Sequence, residues 1–86
     1  MSGIRILNEN WEDYNDRKIR ENYDPMAFSC KDKWEVEFLA GKIRRVYSHY
    51  SEELIMNAIK ACCNNIDGPR PRKDFVNCVM IRLRGL

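Results

Sequence analysis

Asp32-Lys33-Trp34-Glu35-Val36-Glu37-Phe38-Leu39-Ala40-Gly41-Lys42-Ile43-Arg44-Arg45-Val46-Tyr47 is the stretch from which the rest of the chain is read. Val36, Leu39, Ile43, Val46, Tyr47 and Tyr50 recur at intervals of three and four, the period of one helix face. Trp34 and Phe38 widen that face, and Glu35, Lys42, Arg44 and Arg45 lie mostly away from it. Asp32 precedes the run and Glu35 follows it by three, the spacing of a capping box. The pattern predicts a helix over 33–48.

Downstream the same logic repeats. Ser51 followed by Glu52 and Glu53 places a capping hydroxyl and two carboxylates at the positive end of a helix dipole. Leu54, Ile55, Ala58, Ile59 and Cys62 form its apolar stripe, and Asn64-Asn65 ends it, so a second helix is predicted over 52–64. Asp67-Gly68-Pro69 reads as a turn. Pro71 suits a helical first turn, where its missing N–H costs nothing. Phe75, Val76, Val79, Met80 and Leu83 give a third helix an inward face over 71–84, with Arg82 and Arg84 at its cation-favouring end.

Upstream the pattern weakens. Ile4, Ile6 and Leu7 fit a short strand, Trp11 and Tyr14 lie three apart, and Asp24-Pro25 is a break. Residues 1–28 therefore read as an N-terminal appendage, partly helical or flexible, with Trp11 or Tyr14 packing on the main body. Residues 29–86 read as the domain. The expected fold is all-α: a compact bundle of three main helices carrying that appended segment.

Bulk properties narrow the function classes. Eighty-six residues leave room for one small domain with a marginal core. No stretch approaches the ~18–20 apolar residues that cross a bilayer, and the start lacks the ~7–15-residue apolar run of a secretory signal. Gly3 stands one place too late for myristoylation, and Arg84-Gly85-Leu86 is no prenylation box. The expected location is the cytoplasm. In a reducing compartment Cys30, Cys62, Cys63 and Cys78 are then read as small core hydrophobes rather than a disulfide framework.

Trp34-Glu35-Val36, then Tyr47, His49, Tyr50 and Ser51, then Ala58-Ile59 and Cys62-Cys63, then Pro71-Arg72 with Phe75-Val76 and Cys78-Val79 follow one another along the chain. In these residues the chain resembles a group of small bacterial proteins to which no activity is assigned. The likeness spans about residues 29–80. It implies a helical fold and a bacterial cytosolic origin, and no catalytic or binding residue.

Little in the sequence points to catalysis. His49 is the sole histidine, and Cys62 and Cys63 lie 13 and 14 residues beyond it. A nucleophile–base pair needs them to meet; the plainer role for His49 is capping the first helix or packing at the bend. The glycines are isolated, so no phosphate loop forms. Zinc sites show paired ligands, whereas Cys30, His49, Cys62, Cys63 and Cys78 are scattered. No catalytic residue, metal or cofactor is expected.

Charge is distributed unevenly. Residues 1–28 carry four basic and six acidic side chains, and residues 67–86 carry five and two. Arg70, Arg72 and Lys73 cluster at the start of the third helix, with Arg44 and Arg45 as a second basic group. Such cations pair with carboxylates or phosphates alike. The reading is a non-enzymatic cytosolic protein–protein interaction module with an acidic protein, or a second copy of the chain, as partner. The alternative is a helix–turn–helix-like nucleic-acid-binding domain using the basic third helix. Against the alternative stand the long connection before Arg70 and a net charge of only +2.

Overall fold

The computed structural model describes residues 3–64 and 70–85. They form α1 (Ile4–Leu7), α2 (Glu12–Arg20), β1 (Ala27–Phe28), α3 (Lys33–Val46), α4 (Glu52–Asn64), β2 (Arg70–Pro71) and α5 (Arg72–Arg84). The three helices predicted from periodicity are α3, α4 and α5. The turn expected at Asp67-Gly68-Pro69 lies outside the described residues.

Local chemistry explains the boundaries. The Ser51 hydroxyl accepts the Leu54 N–H at 3.2 Å, capping α4 as its position predicts. Asp32 is extended and makes no side-chain cap; only its carbonyl opens α3, accepting from the Glu35 N–H at 3.0 Å. The capping box is therefore absent, because the Glu35 side chain turns into the protein.

The first 28 residues depart most from expectation. Ile4–Leu7 is one helical turn, not a strand. Glu12–Arg20 is a fourth substantial helix, with Glu12 and Asp13 in its first turn and Arg17, Lys18 and Arg20 in its last, matching the dipole. It ends in a Schellman motif: the Tyr23 N–H donates to Lys18 O at 2.8 Å and the Asn22 N–H to Ile19 O at 3.1 Å. Asn22 holds the left-handed position, φ 62°, which asparagine tolerates. The Asp24 carboxylate then accepts the Met26 N–H at 2.9 Å and turns the chain into β1.

β1 and β2 form a two-stranded antiparallel ribbon, Ala27 opposite Pro71 and Phe28 opposite Arg70. It places the start of α5 beside the start of α3. α3 packs on α4, and α4 on α5. Cys30, just before α3, is bonded to Cys63 in the last turn of α4, so those helices run antiparallel. Cys62 is bonded to Cys78 in the middle of α5. Both bonds correct the reading of the cysteines as free core thiols: all four are paired.

The arrangement is thus mostly helical, built from four substantial helices and a small ribbon rather than three helices plus an appendage. Ile6, Trp11, Tyr14 and Phe28 belong to the same buried cluster as Leu39, Ile43, Ile55, Ile59, Phe75 and Val79. Phe28 stacks on Phe75 with ring centroids 4.3 Å apart. The Gly3 N–H donates to Asn77 Oδ1 at 2.9 Å, an approach that a Cβ at Gly3 would block. The Cα radius of gyration, 12.0 Å, equals the roughly 12 Å expected for a compact chain of this length.

Candidate functional site

Glu35 organises the interface between α2 and α3. It has no exposed surface. Its Oε1 accepts from the Tyr14 hydroxyl at 2.5 Å and the Ser29 N–H at 3.0 Å, and its Oε2 from Lys18 Nζ at 2.9 Å. Lys18 is as deeply buried, so this is a dry ion pair whose oxygens are hydrogen-bonded. Burial, with the Glu35 hydrogen bond and charge added, pushes the Tyr14 phenol far above the usual tyrosine range. A carboxylate without exposure cannot meet a substrate. Its role is to hold Tyr14, Lys18 and the β1 entry in place.

Arg72 closes the other side of Tyr14. Its guanidinium lies 4.5 Å from the Trp11 ring centroid and 5.5 Å from that of Tyr14. Nη1 donates to Asn15 Oδ1 at 2.7 Å, Nη2 contacts Met26 Sδ at 3.5 Å, and the buried Nε has no partner among the described residues. Burial lowers this guanidinium from the ordinary arginine value.

The outer side of the α2–α3 interface opens as a surface cleft of about 700 Å³. Its apolar wall is Ile19, Trp34 and Phe38, and its rim carries Asp13, Asp16, Arg17 and Arg20. Ile19 is 60% exposed, although it is one of only two apolar side chains on α2. Arg17 lies over Trp34 at 4.3 Å and Lys42 over Phe38 at 5.2 Å. The cleft offers aromatic surface beneath cationic side chains, residue types enriched where proteins bind one another.

Of the basic residues singled out from the sequence, the structure takes Arg72 away from the surface. Arg72 is buried inside the α2–α5 contact, which corrects its place among exposed cations. Arg70, in β2, and Lys73, in the first turn of α5, are exposed, and Arg44 and Arg45 are exposed in the last turn of α3. Arg44 also sits 3.6 Å from Glu52. His49 is exposed with its ring 4.2 Å from that of Tyr50, and Cys62 and Cys63 are both held in disulfides.

Sequence reasoning missed Lys18, Glu35 and the inward role of Arg72. The one available signal was the spacing of Trp11, Tyr14 and Lys18 along a single helix face, which a lysine disguises. Among the described residues, no group of three or more His, Cys, Asp or Glu side chains converges as a metal site, and no helix is long and apolar enough to cross a membrane. No protein-family model, curated protein or solved structure matches the chain.

Proposed function

We propose that the protein is a helical protein–protein interaction module whose contact surface is the α2–α3 cleft. The observation that carries this reading is the exposed Ile19 beside Trp34 and Phe38, in a cleft rimmed by charges of both signs. A partner segment with one apolar anchor, flanked by an acidic and a basic side chain, complements it. The anchor displaces Arg17 and Lys42 from the aromatic faces, and its charged neighbours pair with the rim. The pre-formed Glu35 cluster keeps the cleft wall rigid, so little ordering cost falls on binding. The nucleic-acid alternative draws less support, since Arg72, the middle cation of the expected cluster, is buried against Trp11 and Tyr14 rather than offered to a phosphate.

The two disulfides support folding in an oxidising compartment, in place of the cytoplasm expected from the sequence. The test is selection of a displayed random-peptide library on the disulfide-intact protein. Enriched peptides are expected to share an apolar anchor between opposite charges. They are expected to lose binding to Ile19→Asp and keep it with Leu54→Asp, an exposed α4 residue outside the cleft. Peptides that bind Ile19→Asp undiminished, or no enrichment at all, overturn the assignment.

A further inference from the structure

The Cys30–Cys63 bond lies at a second opening in the surface, a cavity of about 280 Å³ between the start of α3 and the end of α4. Both cysteines are only partly buried. Lys31, Lys33 and Lys60 line the same cavity and are exposed. Among the described residues no carboxylate lines it. Lys33 pairs with Glu37 at 3.8 Å, both side chains being exposed, so the contact is weak and the ammonium is free to turn to a ligand. A disulfide thus sits on the wall of a small cavity carrying three ammonium groups.

The other bond is placed differently. Cys62 has no exposed surface, so a thiolate cannot reach its sulfur. Attack on Cys78, which is partly exposed, expels the Cys62 sulfur as an anion within the apolar core. A thiolate formed in apolar surroundings is a poor leaving group. The two bonds thus differ: both sulfurs of one belong to partly exposed residues, whereas one sulfur of the other lies in the core.

We infer that Cys30–Cys63 is a thiol–disulfide exchange site for an anionic low-molecular-weight thiol, a peptide thiol bearing carboxylates. The thiolate of that molecule attacks one sulfur of the bond. A new S–S bond forms to the attacked cysteine, the Cys30–Cys63 bond breaks, and its electron pair leaves on the other cysteine as a thiolate. A second thiolate attacks the small-molecule sulfur of the mixed disulfide. This expels the first cysteine and yields a symmetrical disulfide. Two electrons pass to the protein, and solvent supplies the protons taken up by its two sulfurs. The three lysines gather the anionic thiol and stabilise the expelled thiolate.

The experiment treats the intact protein with glutathione, which is anionic, or 2-mercaptoethanol, which is neutral. Acid quenching, alkylation and peptide mass spectrometry then locate the products. Expected are a glutathione adduct on Cys30 or Cys63 and an intact Cys62–Cys78 bond. The glutathione to 2-mercaptoethanol rate ratio is expected to fall about tenfold in Lys31→Gln/Lys33→Gln/Lys60→Gln, the low end of effects seen for charge-lined clefts. It is also expected to fall as salt rises. Circular dichroism checks the fold of the triple variant, and Lys60→Gln alone, with a smaller drop, serves if the triple variant is unfolded. First reaction at Cys62 or Cys78, no reaction, or a ratio that ignores lysine neutralisation overturns the inference.

Discussion

Glu35 accepts from three donors without touching solvent, and its partner Lys18 is equally buried. Removing one member of such a pair strands a charge in the interior. Lys18→Met is expected to cost about 3–5 kcal/mol by urea unfolding. Glu35→Gln added to it removes the stranded charge and keeps an oxygen for Tyr14 and the Ser29 N–H. The double variant is expected to regain part of the loss, with a coupling of about 2–3 kcal/mol in the cycle. Tyr14 adds a pH dependence of known sign. Its phenol is raised in the folded state, above the value of about 10 for the unfolded chain. Its contribution is fully present below pH ~10. Above that, the unfolded chain releases a proton that the folded one keeps, so stability falls by about 1.4 kcal/mol per pH unit from this group. Denaturation at pH 9, 10 and 11 is expected to show that slope reduced by one proton in Tyr14→Phe.

At the scale of elements, Arg72 is what ties α5 to α2. Its guanidinium covers two rings and donates to Asn15, so Arg72→Ala is expected to cost roughly 2–4 kcal/mol. Arg72→Lys keeps the charge but not the flat stacking plane, and is expected to fall between the two. Hydrogen exchange is expected to quicken first in the α2 amides, because α2 then has one fewer anchor. This contact also explains what could be read in advance. The residues of α3, α4 and α5 repeat at three and four, and their ends were legible to within two residues. The helix α2 was not, because Glu12-Asp13-Tyr14-Asn15-Asp16-Arg17-Lys18-Ile19-Arg20 buries Tyr14 and Lys18 and exposes Ile19. Its burial pattern inverts the hydrophobic one, since the ion pair to Glu35 pulls a cation inward. The cleft was invisible for the same reason. Its apolar wall combines Trp34 and Phe38, read as widening a core face, with an isoleucine that stands alone among the charged side chains of Asp16 to Glu21.

For the molecule as a whole, the cysteines decide how much the core must supply. Four cysteines allow three pairings, and one sequence cannot choose among them or tell them from free thiols. The pairing found closes spans of 33 and 16 residues. Loop-closure entropy assigns these about 3.7 and about 3 kcal/mol. A chain of 86 residues at roughly 0.05–0.15 kcal/mol per residue has about 4–13 kcal/mol in total. Either bond is therefore a large share of the whole, and both together rival it. Cys30→Ala/Cys63→Ala is expected to stay folded with a lower urea midpoint. Cys62→Ala/Cys78→Ala loses its smaller loop term plus a cavity at the fully buried Cys62, so its cost is expected to match or exceed the first. The variant lacking all four sulfurs is expected to be largely unfolded at 37 °C, by near-ultraviolet circular dichroism and by collapse of amide dispersion in NMR spectra. If it kept its dispersion, the aromatic cluster around Tyr14 and Phe75 would be sufficient alone, and the case for an oxidising compartment would lose its energetic basis.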